Sequence, residues 1–261
     1  MTRRVLAGCR AIVTGASSGI GRAVVLELAR QQAQVIATAR RTDRLAALAE
    51  EGALLPGEIV IVEGDIARDE TRQALIDAAR DRWGGLDLLV NNAGIGVIRS
   101  FEQSDSEQLR QVMEVNFFSA VEMTRLALPL LRDGRRPMIA NVASILGHRG
   151  IPYYTEYCAS KFALVGFSEA LRAELAEQGI DVLVVSPGTT QSEFFASLVA
   201  EQPGVGSRGE GGVTPEVVAR ATVRAIRSGR HRIVPNNQGR FLLWLNRLSP
   251  RWADAIVARF G

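Results

Sequence analysis

Two hydrophobic rhythms alternate along the chain. Short, nearly continuous apolar runs give way to longer stretches in which apolar residues recur every three or four positions. A strand buried on both faces needs the first pattern, and an amphipathic helix shows the second. Runs at 10–14 (RAIVT), 34–39 (QVIATA), 58–67, 86–94, 137–143, 180–186 and 231–235 predict strands. Helical periods cover 23–32, 42–51, 70–83, 104–132, 155–178 and 215–228. The alternation implies an α/β architecture, a doubly wound parallel sheet in a single domain over 1–240. Two segments break the rhythm. Residues 191–212, rich in Gly, Ser and Glu, predict a lid-like loop over a binding site. Residues 241–261 contain a Ser249-Pro250 helix start and predict two short amphipathic helices. Trp244, Leu248, Trp252 and Phe260 lie on their apolar faces and Arg247, Arg251 and Arg259 on their polar ones. Three roles are open for this helical extension: packing on the body or a sister subunit, walling a substrate pocket, or lying on a membrane surface. The first leads.

Polar motifs fall where the predicted strands end, at the edge where ligands of such sheets bind. TGASSGIGR (14–22) links the first strand to the first helix. Gly15, Gly19 and Gly21 let backbone approach a pyrophosphate, while Ser17, Ser18 and the helix start at Ile20 supply donors. Arg40 and Arg41 follow the second strand, where an acidic residue would accept a ribose 2′-hydroxyl. Two guanidiniums suit a 2′-phosphate instead, so the cofactor expected is NADP(H). The motifs GDI, NNAG, NVAS and SPGTT complete one shared cleft.

Composition narrows the reading. The chain has 261 residues, 47% of them hydrophobic, and a net charge of +3. The arginines are dispersed, so no nucleic-acid partner is expected. Two cysteines and two distant histidines offer neither a disulfide framework nor a metal site. The N-terminal basic and apolar stretch runs straight into the glycine loop and reads as a strand, not a secretory signal. No apolar run approaches a membrane span, and the default compartment is cytoplasmic. Of 31 basic residues only Lys161 is a lysine, four positions after Tyr157 and seventeen after Ser144. An ammonium is a compact, tunable charge that Arg does not replace. On a helix, Tyr157 and Lys161 share one face, and a nearby ammonium is expected to lower the phenol pKa toward neutrality. Tyr153 and Tyr154 have no lysine at i+4 and read as pocket walls or helix-start packing. His148 reads as a surface loop residue and Cys158 as packing.

TGASSGIG, NNAG, Ser144 followed thirteen residues later by YCASK, and then Pro187-Gly188 resemble the short-chain dehydrogenase/reductase family over about residues 7–235. The resemblance implies a Rossmann fold and a catalytic set of Asn116, Ser144, Tyr157 and Lys161. It implies adenine contacts from Asp65 and Ile66, and a segment beside the adenosine ribose formed by Asn91, Asn92, Ala93 and Gly94. Pro187, Gly188 and Thr190 would lie near the nicotinamide, with Ser192 standing where the family often has Thr. Tyr157 and Lys161 would also contact the cofactor. The function expected is NADP(H)-dependent hydride transfer between nicotinamide and a small-molecule carbonyl or secondary alcohol. Ile145, Leu146, Ile151, Phe194 and Phe195 favour an apolar ketone. A 3-oxoacyl-thioester reductase and a non-catalytic NADP(H)-sensing scaffold are the alternatives. The family further implies a homodimer or homotetramer.

Overall fold

Strands form where both faces of the pleat are apolar, and helices follow where only one side is. The structure, a computed structural model, describes residues 3–191, 198–201 and 212–258. In chain order it contains β1 (Arg10–Thr14), α1 (Gly19–Arg30), β2 (Gln34–Ala39), α2 (Thr42–Gly52), β3 (Glu58–Glu63), α3 (Asp69–Trp83), β4 (Leu88–Asn91) and β5 (Gly96–Ile98). Then come α4 (Ser106–Met113), α5 (Ser119–Arg132), β6 (Met138–Val142), α6 (Thr155–Leu175), β7 (Asp181–Val185), β8 (Leu198–Glu201) and α7 (Pro215–Ser228). The chain ends in β9 (Arg232–Ile233), α8 (Asn237–Leu248) and α9 (Pro250–Val257).

Seven strands make one parallel sheet in the order β3-β2-β1-β4-β6-β7-β9. Alternate residues of each strand feed opposite cores. Val13, Val35, Leu88 and Met138 meet Val24 and Leu28 of α1 and Val223 and Ile226 of α7. Ile12, Ile36, Leu89 and Ile139 meet Leu75 of α3, Met123 and Leu130 of α5 and Leu171 of α6. Each such side chain withdrawn from water contributes about 1.5–3 kcal/mol. The chain winds outward from β1 to β3, then returns to lay β4 against the other side of β1. That reversal opens a crevice at the carboxyl ends of β1 and β4. Asp87 anchors the opposite end: it accepts bonds from the Arg10 backbone, the Arg10 guanidinium and the Arg135 backbone. Burial alone would raise its carboxyl, but the hydrogen bonds from Arg10 and Arg135 hold it below its ordinary value.

Several boundaries differ from the sequence reading, each for a local reason. β3 stops at Glu63, not 67, because Gly64 packs against Thr71 and the Asp65 carboxylate turns the chain by accepting the Ala67 N–H at 3.0 Å. The expected helix 104–132 is α4 and α5 joined by a π-helical turn, Glu114–Phe118. β5 and β8 form a second, two-stranded parallel sheet that the apolar pattern did not predict. Part of the expected lid, 198–201, is therefore strand. Residues 192–197 and 202–211, with Ser192, Phe194 and Phe195, lie outside the described residues. The tail helix α8 starts at Asn237 rather than 241. Leu245 is buried on the inner face of α8, and Ala253 and Val257 on that of α9. Arg149 ties both helices down, through Asn246 of α8 at 2.9 Å and an ion pair with Asp254 of α9. Among the described residues no helix is long and apolar enough to cross a membrane.

Candidate active site

The turn from β1 into α1 is where the glycines act. Gly15 has φ +67° and Gly19 φ +56°, conformations that side chains with a Cβ rarely adopt. A Cβ at Gly15 would lie 2.7 Å from the Ala93 backbone, and one at Gly21 would strike the Asn92 carboxamide. Gly21 thus packs α1 onto the β4 loop and does not reach the crevice. Asn92 holds the turn from the other side, donating to the carbonyls of Thr14 (2.9 Å) and Gly15 (3.1 Å). The Thr14 hydroxyl accepts the N–H groups of Asn92 and Ala93, both at 3.0 Å. The clasp joins positions 78 and 79 residues apart, so no local pattern in the sequence marks it.

Ser17 and Ser18 stand at the start of α1, and the Arg41 guanidinium donates to both hydroxyls, at 3.1 and 2.6 Å. Arg40 is exposed beside them on the same wall. Asp65 and Ile66 line the cleft farther along, as do Asn92, Ala93 and Gly94. Asn91 does not: its amide donates to Asn141 at 2.9 Å and Thr124 at 3.1 Å in the interior, tying β4 to β6 and α5.

The other end is built by β6 and α6. Ser144 caps the short turn after β6, its hydroxyl accepting the Leu146 N–H at 3.1 Å. It also hydrogen-bonds the Tyr157 hydroxyl. Lys161 lies one turn after Tyr157 on α6, only 3% exposed. Its ammonium donates to the Val142 carbonyl at 3.0 Å and sits 5.7 Å from the Tyr157 ring centre. Burial drives the Lys161 pKa down to about 8. Burial likewise pushes the Tyr157 phenol up, partly opposed by the Ser144 bond. This corrects the expectation that Lys161 lowers Tyr157: in the free protein the ammonium is aimed at a strand carbonyl, and desolvation dominates.

Asn116 sits in the π turn, 1% exposed, behind the cleft wall. Its carboxamide clips Ile95 from both sides, accepting the Ile95 N–H at 2.8 Å and donating to the Ile95 carbonyl at 2.9 Å, and it donates to Ser160 at 2.9 Å. A Cβ on Gly94 would meet Asn116 Oδ1 at 3.3 Å and Lys161 Nζ at 3.5 Å, so the two polar groups flank one glycine. Pro187, Gly188 and Thr190 line the cleft above β7, and Asn236 holds that loop by accepting the Gly188 N–H at 3.1 Å. His148 is half-buried, not a free surface residue: its Nε2 pairs with the Ser186 hydroxyl at 2.9 Å, and burial lowers its pKa.

These walls enclose one cavity of about 460 Å³ running from Gly15 to Tyr157. Its far end is apolar: Ile145, Leu146, Ile151, buried Tyr154, and two tail residues, Leu242 and Val257. Those last two were missed because nothing in an amphipathic tail says which body surface its inner face meets. The glycine cradle and the helix start are chemically suited to the phosphates of a dinucleotide, and the Arg41 guanidinium to an anionic group beside them. Among the described residues no His, Cys, Asp and Glu cluster could hold a metal.

Comparison with known proteins identifies the family. Residues 10–203 match the family profile described as short chain dehydrogenase. Ketoacyl reductase HetN of Nostoc sp. strain PCC 7120 is 30% identical over 263 residues, spanning 98% of this chain and 90% of that protein. A short-chain dehydrogenase/reductase from Burkholderia phymatum, solved with NAD, has a TM-score of 0.86 at 23% identity, covering 95% of this chain and 96% of that one. One from Burkholderia cenocepacia J2315, solved with NADP, has a TM-score of 0.82 at 27% identity, covering 97% and 99%.

Proposed function

Because the chain belongs to the short-chain dehydrogenase family of oxidoreductases, we propose that it is an NADP(H)-dependent enzyme interconverting an apolar ketone and its secondary alcohol. The observation that carries this reading is the single cavity with Ser144, Tyr157 and Lys161 at one end and the glycine turn with Arg41 at the other. Gly15, Ser17, Ser18, Gly19, Asp65, Gly94 and Thr190 would hold the dinucleotide, with Arg40 and Arg41 on its 2′-phosphate. When bound, that cofactor supplies the hydride.

The chain's own groups supply position and the proton. Ser144 donates a hydrogen bond to the substrate oxygen and fixes its distance from Tyr157. Tyr157 gives its proton to that oxygen as negative charge develops there. A phenol with a raised pKa stays protonated at neutral pH, and because it is still a stronger acid than an alcohol it yields its proton to the forming alkoxide. Lys161 keeps positive charge 5.7 Å from the Tyr157 ring centre, and Asn116 holds the Gly94–Ile95 wall beside it. Leu146, Ile151, Leu242 and Val257 exclude water around an apolar substrate. A homodimer or homotetramer is part of the same reading, supported by the exposed Phe118 and Phe162.

The test is NADPH and NADH oxidation with a panel of cyclic, acyclic and thioester-linked ketones. Tyr157→Phe should lower kcat on the order of a hundredfold to ten-thousandfold. Charge reversal at Arg40 and Arg41 should weaken NADPH and spare NADH. A fully active Tyr157→Phe enzyme, or an unchanged cofactor ratio, would overturn the respective assignment. Preference for the thioester would favour a 3-oxoacyl-thioester reductase, the reading the HetN similarity supports. Tight NADPH binding without turnover on any ketone would favour the sensing scaffold.

A further inference from the structure

The tail has two faces, and the cavity accounts for only one. Inward, Leu242 and Val257 line the cleft and Leu245 and Ala253 are buried. Outward, α8 shows Phe241, Trp244 and Leu248, at i, i+3 and i+7, and α9 shows Trp252 and Ile256, at i and i+4. Trp244 is 58% exposed and Trp252 70%. The Phe241 and Trp244 rings lie side by side, tilted 31° to each other, with centres 6.0 Å apart. Large aromatics in water at this density, on consecutive helices, mark a contact surface.

Charge says what contacts it. Residues 236–261 hold four arginines (240, 247, 251 and 259) and one acid, Asp254. Their net charge of +3 equals that of the whole chain, since the other residues hold 27 basic and 27 acidic groups, from totals of 31 and 28. Asp254 is already paired with Arg149 of the body. Arg247 and Arg251 are exposed next to the aromatic face. Arg240, Arg247 and Arg251 beside Trp and Phe, on short helices packed against the body, are the composition of a segment that rests in a lipid headgroup layer. A second copy of this chain would bring the same +3 against itself.

We propose that the outer face of α8 and α9 docks the protein on an anionic bilayer surface, with Phe241, Trp244 and Trp252 entering the headgroup boundary. The cavity wall made by Leu242 and Val257 then lies one helix thickness from the lipid. The docking does not depend on the reaction assigned to the cleft, and its test reads binding alone.

The full chain is sedimented with vesicles of phosphatidylcholine, with and without phosphatidylglycerol. Binding should be on the order of a hundredfold tighter to the anionic vesicles at low salt and should fade as salt is raised. Trp244→Ser with Trp252→Ser should weaken it roughly tenfold or more while leaving the melting temperature and NADPH binding intact. If that variant fails to fold, wild-type tryptophan fluorescence gives the answer: brominated lipid should quench it, since two of the chain's three tryptophans lie on the patch. Absence of anionic preference, absence of quenching, or a light-scattering mass of two copies that falls to one in the double variant would overturn the proposal, the last naming a second copy as the occupant.

Discussion

At the scale of single residues, Lys161 works against the fold that holds it. An ammonium 3% exposed, with a pKa driven from 10.5 to about 8, is protonated at neutral pH only at a cost in stability. The sign follows directly. Between pH 8 and 10.5 the unfolded chain still holds the proton and the folded one has lost it, so folding grows more favourable as pH rises. Lys161→Met should therefore be at least as stable as wild type at pH 7. The difference should move in favour of the wild type by roughly 3 kcal/mol between pH 8 and 10.5. Urea unfolding of both proteins across that range checks it, and a gap that stays constant with pH would contradict the assigned burial. The pairing of Tyr157 with Lys161 is legible in the sequence through their spacing and through Lys161 being the sole lysine. The spacing could not reveal that the ammonium turns to the Val142 carbonyl, because a helix fixes where a side chain starts and not where its last atom ends.

Among elements, the β1–α1 turn is the least forgiving. Gly15 needs positive φ and leaves no room for a Cβ against the backbone of Ala93. Gly15→Ala should cost on the order of 1–3 kcal/mol and widen the clasp that Asn92 and Thr14 make. Thermal melts with and without NADPH measure both: the apo melting temperature should fall, and the upward shift on adding NADPH should shrink. This element was readable in advance, since glycines at fixed intervals between a strand and a helix have few other uses. The π turn was not. Its extra residue leaves the apolar rhythm of 104–132 nearly intact, and what stabilises it, the grip of Asn116 on Ile95, joins positions that the sequence holds 21 residues apart. β5 and β8 escaped for a similar reason: each is short, and each is a strand only through the other.

The whole molecule is a sheet read correctly from alternating rhythms, with its two ends specialised differently. The carboxyl end carries the cleft. The amino end is held by Asp87, which joins β1, the start of β4 and the turn before β6. Asp87→Ala strands the half-buried Arg10 guanidinium and should destabilise by about 3–5 kcal/mol. Because the folded carboxyl titrates below its ordinary value of 3.8, the contribution is whole above that pH and fades as pH falls through the folded value. The gap between wild type and variant in denaturant unfolding should accordingly narrow in strong acid, and a gap that widens there would contradict it. Global topology was legible because the central strands β1, β2, β4, β6 and β7 are apolar on both faces. The place of the tail was not, because its inner stripe would fit many surfaces and only the folded body offers the one beside Ile145 and Ile151.

Solitary Lys161 has one more consequence, for labelling chemistry. The chain has a single side-chain amine, and it is buried at the heart of the cleft. Acylating reagents that would decorate most proteins indiscriminately should address one ε-amine here, and only as fast as the cleft exposes it. Mass spectrometry of the peptide that carries that ε-adduct, read apart from any acylated α-amine, would time the breathing of the site with no residue replaced.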